Sequence, residues 1–250
     1  MSNLFNFTGK VALVTGSSRG IGAGIVTALE QGGARCVVNY VADPEGRNRA
    51  DAERVASGLS GALVIECNVG DPAQVASMMA QVQKELGGLD ILVNNAGILR
   101  DRTLKKMSAE EWEIVLRVNL TGAFNCIQQA LGLLRPGGRI VNVSSVSGQL
   151  GSFGQANYAA SKAGLMALTK VAARELARHQ ITVNAIAPGV VNTEIIRSVP
   201  EEVARQTLER IPLGRVAEVE DIVAPILFLC SPQARYITGQ VLHINGGLYM

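Results

Sequence analysis

The sequence predicts an α/β fold: one doubly wound, seven-stranded parallel sheet with helices on both faces. Three observations carry the prediction. Short β-branched runs alternate with longer amphipathic stretches along all 250 residues, the order that βαβ crossovers produce. Those runs are apolar at successive positions rather than alternate ones, as burial between two helix layers demands. The first of them leads straight into a glycine-rich turn and a helical pattern.

The expected strands are VALVT (11–15), RCVVNY (35–40), ALVIE (62–66), DILVN (90–94), RIVNV (139–143), TVNAI (182–186) and VLHI (241–244). The stretches between them carry helix punctuation. Asp71-Pro72 supplies a cap followed by proline in the first turn, and Ser108-x-x-Glu111 is a capping box ahead of a long helix. Gly32-Gly33, Gly87-Gly88 and Gly137-Gly138 each fall where a helix should stop before a strand. No repeat, low-complexity tract or linker interrupts the chain, so residues 1–250 are expected to form one domain.

Composition narrows the function. The formal net charge is +2 with no long run of one sign, which points away from a nucleic-acid or membrane-surface partner and toward a small molecule. Four cysteines, Cys36, Cys67, Cys126 and Cys230, are scattered without a C-x-x-C pair, as reduced core thiols in a reducing compartment would be. The N-terminus lacks the pattern of a signal peptide, and no apolar run is long enough to span a bilayer, so a cytoplasmic protein is expected. His179 and His243 have no second ligand at helical spacing, and no metal site is expected.

The first chemical signal is the turn T15-G16-S17-S18-R19-G20-I21-G22. Glycines at 16, 20 and 22 let the backbone turn tightly and approach a pyrophosphate at a helix N-terminus, as in a Rossmann-type dinucleotide site. The pattern is not G-x-G-x-x-G, because Ile25 stands where the third glycine would, and no G-K-[ST] follows. By itself it also fits a tight strand-to-helix turn without a ligand.

The second signal is Y158-A-A-S-K162, a phenol and an ammonium one helical turn apart on one face. Taken with T15-G-x-x-x-G-x-G22, N94-N95-A96-G97, Asn119, Ser145 and P188-G189 followed by Thr193, it resembles the short-chain dehydrogenase/reductase family over essentially the whole chain. The resemblance implies a nicotinamide-dependent oxidoreductase in which Tyr158 is the general acid and Lys162 holds the nicotinamide ribose and lowers the phenol's pKa. It also implies that Ser145 donates to the substrate carbonyl and that Asn119 holds a water linking Lys162 to solvent.

Gly16, Ser18, Arg19, Gly20, Ile21 and Gly22 would then cradle the cofactor, with Tyr40 at the ribose end and Asn68 and Val69 beside the adenine. Asn95 and Gly97 would line the adenosine side, Val191 and Thr193 would approach the nicotinamide amide and the phosphates, and Ala96, Pro188 and Gly189 would also bind the cofactor. Arg19 can grip a 2′-phosphate through paired hydrogen bonds, which favours NADP(H). Asp43, about 20 residues past the turn, is where a ribose-binding carboxylate would favour NAD, but Pro44 after it suits a loop opening.

Within the family, G154-Q155-A156-N157-Y158, P212-L213-G214-R215 and the ending H243-I-N-G-G-L-Y-M250 are similar to reductases of carrier-bound 3-oxoacyl chains. This implies an acyl-thioester substrate on an acyl carrier protein or coenzyme A, and a homotetramer joined through the helices holding Asn119 and Tyr158. Arg135 and Arg178 are the arginines nearest the positions expected to meet an acidic carrier, each displaced by one residue, with Pro136 and His179 standing there instead. A carbonyl reductase or secondary-alcohol or sugar dehydrogenase for small free substrates remains an alternative. So does an inactive cofactor-sensing protein, against which stands the complete set Asn119, Ser145, Tyr158 and Lys162. Residues 194–212 read as a lid over the substrate.

Overall fold

The computed structural model describes residues 5–192 and 208–250. Its sheet has seven parallel strands, β1 (Val11–Val14), β2 (Arg35–Tyr40), β3 (Leu63–Glu66), β4 (Leu89–Asn94), β5 (Leu134–Val143), β6 (Thr182–Pro188) and β7 (Val241–Ile244). They lie in the order β3-β2-β1-β4-β5-β6-β7. The winding direction reverses between β1 and β4, and an open α/β sheet takes its ligands beyond the carboxyl ends of the strands at such a point.

Alternate residues of each strand feed two separate cores. Ala12, Val14, Val38, Val93 and Val141 pack against α1 (Gly20–Gln31), α2 (Arg47–Ser57) and α8 (Val219–Cys230). Leu13, Val37, Leu92, Ile140 and Val183 pack against α3 (Pro72–Leu86), α5 (Gly122–Ala130) and α7 (Ala156–Leu176). The strands therefore need apolar residues at successive positions, which is why the runs read as nearly continuous rather than alternating.

The punctuation works largely as expected. The Asp71 carboxylate accepts from Ala73 N and Gln74 N at the start of α3, and Ser108 and Glu111 cap each other's backbone at the start of α4 (Ala109–Leu116). Gly87 ends α3 in the left-handed region at φ 74°. Gly137-Gly138 differs. Helix α5 already stops at Ala130, and the glycines lie within β5, where the pairing with β4 jumps from Leu89↔Leu134 to Ile91↔Arg139. Residues 135–138 bulge out of the ladder there, and Gly137 takes φ 81° to allow it. The helix expected after Ser108 is also not continuous, since Arg117–Thr121 form a π-helical turn between α4 and α5.

All four cysteines are free and buried. Among the described residues no helix is long and apolar enough to cross a membrane, and no cluster of His, Cys, Asp or Glu is placed to hold a metal ion.

Candidate active site

A cleft of about 690 Å³ opens beyond the carboxyl ends of β4, β5 and β6. Ile21, Gly97, Pro188 and Gly189 line it, together with Ser145, Tyr158 and Lys162. The residues are brought there by three elements. Ser145 follows β5; Tyr158 and Lys162 occupy the first turns of α7; the four-residue helix α6 (Ser147–Leu150) packs its Gly148 so closely on α7 that a Cβ there would sit 2.8 Å from Ala163 N.

Lys162 is buried, at 3% exposure, and its Nζ donates to the Val143 carbonyl at 2.8 Å while standing 5.5 Å from the centre of the Tyr158 ring. Burial lowers its pKa to about 8. Tyr158 departs from expectation. Burial holds its phenol above the ordinary value, a hydrogen bond from Ser145 pulls the other way, and the charge of Asp101 raises it further. In the chain alone desolvation is the largest influence on the phenol, and the neighbouring amine makes its hydrogen bond to the Val143 carbonyl. A phenol so placed stays protonated at neutral pH and is poised to donate.

Asn119 lies in the π-helical turn, almost wholly buried at 1% exposure. Its amide pairs twice with Ile98, accepting from Ile98 N at 2.8 Å and donating to Ile98 O at 3.0 Å, and it also donates to Ser161 Oγ. It therefore pins the segment after β4 alongside α7. Both amide hydrogens are used, so only the second lone pair of Oδ1 is left for a water.

The glycine turn has the shape a dinucleotide needs. Gly16 and Gly20 take positive φ, 61° and 55°, and a Cβ on Gly22 would lie 2.5 Å from both Gly16 O and Asn95 Nδ2. Asn95 Nδ2 donates to Thr15 O and Gly16 O, tying the turn to the end of β4, while Ser18 is buried within it. Gly97 is open toward the cleft; a Cβ there would make only ordinary contact with Asn119 and Lys162. This cradle of glycines fits a dinucleotide pyrophosphate.

Other expected contacts are less free. Tyr40 packs its ring in the core and donates its hydroxyl to Glu66 at 3.1 Å. Asn68 Oδ1 already accepts from Gly70 N, and Val69 is buried against Gly122, its carbonyl taken by Asn125. Ala96 N is held by Thr15 Oγ1, and Val191 is buried and bridges to Ala217. Asp43 accepts from Arg47 N and Asn48 N, opening α2 as the loop reading expected. Thr193 and residues 194–207 of the expected lid lie outside the described residues; of its remainder, Ile211 is buried and Arg210 lines the cleft.

Arg135 and Arg178 are a correction. Arg135 pairs with Asp90 at 2.5 Å and donates to Gly87 O at the amino edge of the sheet. Arg178 sits beyond the C-terminal end of α7, bonded to His179. Both stand at the opposite end from the cleft because the strand before Ser145 and the helix after Tyr158 each run away from it.

Several site residues were not singled out from the sequence. Thr15 Oγ1 accepts from both Asn95 N and Ala96 N, and Asn39 Oδ1 accepts from Gly16 N. A polar side chain inside the apolar run RCVVNY was the available signal for Asn39. Gln155 lines the cleft, accepts from Ser147 Oγ and donates to Asp101 at 2.9 Å. Nothing in the local sequence marks that link.

A family model described as enoyl-(acyl carrier protein) reductase matches residues 16–249. With the glycine turn and the Ser145, Tyr158 and Lys162 cluster in place, the chain belongs to the short-chain dehydrogenase/reductase family and is an oxidoreductase. It is similar to the 3-oxoacyl-[acyl-carrier-protein] reductase FabG of Staphylococcus aureus, at 46% identity over 243 residues, covering 96% of this chain and 98% of that one. FabG of Escherichia coli is 41% identical over 247 residues, covering 98% and 99%. A solved double mutant of a Serratia marcescens short-chain dehydrogenase/reductase superposes with TM-score 0.89 at 37% identity, covering 97% of this chain and 98% of that one.

Proposed function

We propose that the chain is a single-domain, NADPH-dependent reductase that converts a 3-oxoacyl thioester, carried on an acyl carrier protein or coenzyme A, to the 3-hydroxy product. The observation that carries this reading is that Ser145, Tyr158 and Lys162 line one cleft beside the glycine turn, with the Lys162 Nζ 5.5 Å from the centre of the Tyr158 ring. The similarity to the FabG proteins supports the choice of substrate.

The glycine turn, Asn95, Ala96, Gly97 and the Pro188-Gly189 segment would hold the cofactor, which supplies a hydride to the carbonyl carbon. Everything else falls to the side chains. Ser145 and Tyr158 both bring a hydroxyl to the lining of the cleft, so a substrate oxygen placed between them would receive two hydrogen bonds as negative charge grows on it. Tyr158 then gives up its proton to that oxygen. Lys162, a buried cation 5.5 Å from the ring centre, stabilises the phenolate left behind. Asn119 acts through Ile98 and Ser161 to keep β4's extension and α7 in register.

We further propose a cytoplasmic homotetramer, in keeping with free buried cysteines and with apolar side chains left exposed on the helices around Asn119.

Tyr158→Phe tests the reading. Acetoacetyl thioester reduction should fall at least about a thousandfold, within the range general acid catalysis supplies, while NADPH binding by fluorescence is kept; substantial residual turnover would remove Tyr158 from the acid role. In the same assay the wild-type chain should prefer acetoacetyl-carrier protein or acetoacetyl-coenzyme A to small free ketones. Turnover of a crotonyl thioester instead would transfer the assignment to enoyl reduction, the reaction named in the description of the matching family model.

A further inference from the structure

Arg19, the residue expected to grip a 2′-phosphate, is already engaged. It precedes α1 with extended backbone (φ −159°, ψ 175°) and makes no cap of its own. Its side chain instead leaves the turn sideways toward α2. There Nη2 donates to Asn48 Oδ1 and lies 3.2 Å from the Asp51 carboxylate. Asn48 and Asp51 are three residues apart, hence on one face of α2, and that face is turned to Arg19. Asp51 is only 21% exposed in its side chain, and its other oxygen is held by Arg54 at 2.5 Å. The carboxylate is thus fixed beside the guanidinium rather than sweeping through solvent.

The other donors and cations named around Arg19 already have partners, Arg54 on Asp51 among them. The first amides of α2, Arg47 N and Asn48 N, are filled by Asp43, and the Arg47 side chain pairs with Glu45. Arg19 is the cation that the glycine turn itself carries, and the charge it now faces has the same sign as the ligand it would take.

We propose that Asp51 sets the cofactor preference of this chain by competing with the 2′-phosphate for Arg19, so that discrimination between NADP(H) and NAD(H) is held below what Arg19 alone would give. This rests on the NADP(H) reading above. A phosphate arriving at Arg19 must share or displace a contact with Asp51 and comes close to a second negative charge. A nicotinamide dinucleotide without that phosphate meets neither cost. Asp51 touches no reacting atom; it acts through Arg19.

The experiment is equilibrium binding of NADPH and NADH, each followed by the fluorescence of the bound dihydronicotinamide, to the wild-type chain and to Asp51→Asn, Arg19→Ala and the double variant. Asp51→Ser serves as a second removal of the charge should the amide re-form the contact. Removing one unit charge next to a solvent-facing phosphate should tighten NADPH by about threefold and leave NADH unchanged, and the gain should vanish in the Arg19→Ala background. Unchanged or weaker NADPH binding in both Asp51 variants would overturn the proposal and make Asp51 a support for Arg19. Equal tightening of both cofactors, or a gain that survives without Arg19, would overturn it as well. If Arg19→Ala alone weakens NADPH and NADH equally, the NADP(H) reading itself falls; if it weakens NADPH selectively while the Asp51 variants fail, only the role of Asp51 is lost.

Discussion

At the scale of single residues, Lys162 carries a cost that can be read from its titration. Its folded value of about 8 lies below the ordinary 10.5, so below pH 8 both folded and unfolded chains hold the proton and the burial penalty weighs fully against folding. Between 8 and 10.5 the folded chain releases the proton first and stability recovers. Lys162→Met should consequently be more stable than wild type at pH 7 by about 2 to 3 kcal/mol, allowing for the lost bond to Val143, and the difference should shrink as urea denaturation is repeated toward pH 10. Asp101 offers a second handle. Its charge helps hold the Tyr158 phenol high, and Gln155 fixes it at the rim of the cleft. Asp101→Asn should therefore move the alkaline rise of alcohol oxidation to lower pH, visible in a kcat/KM profile measured in the reverse direction. A profile that keeps its midpoint while losing amplitude would assign Asp101 to structure alone.

At the scale of elements, the turn from β1 into α1 is where backbone and chemistry meet. Gly22→Ala would drive a methyl to 2.5 Å from Gly16 O, a backbone atom with nowhere to move. About 2 kcal/mol of stability should be lost in thermal unfolding, together with most NADPH affinity, since the Asn95 staple over the turn must open. This turn was legible in the sequence because glycines at 16, 20 and 22, directly after a strand and opening a helix, mark a tight turn whether or not a ligand sits on it. The strands were legible too, because burial on both faces writes itself as nearly unbroken β-branched runs, and the caps at Asp71 and Ser108 are local hydrogen-bond patterns. What escaped is tertiary. The bulge at 135–138 depends on how β4 meets β5, the π-helical turn at Asn119 on its pairing with Ile98, and the Arg19 contact with Asp51 on where α2 lands. The sign of the Tyr158 shift belongs here as well: a lysine one turn away is visible in sequence, but the desolvation that most influences the phenol is a property of the assembled cleft.

At the scale of the whole molecule, the helices behind the cleft leave a surface unfinished. Phe124 on α5 and Leu131 just past its end, 44% and 47% exposed, lie seven residues apart, and Trp112 adds an exposed ring on α4. Next to them α7 exposes Ala163, Ala167 and Val171, a stripe of small apolar side chains at four-residue spacing, and Gly164 lets Leu120 press against the same helix. Small residues allow a second helix to approach closely, and large apolar ones beside them supply area to bury. The same α7 carries Tyr158 and Lys162, so pairing along it would stiffen the helix that sets the distance between the proposed acid and its amine. On the proposed homotetramer, light scattering should give a tetramer at micromolar concentration, and the urea midpoint should rise with protein concentration as mass action requires. Phe124→Glu combined with Val171→Glu should yield smaller species with a concentration-independent midpoint and reduced kcat. A wild-type chain that is monomeric at micromolar concentration, with full turnover, would show that α7 holds Tyr158 and Lys162 in place without a neighbour.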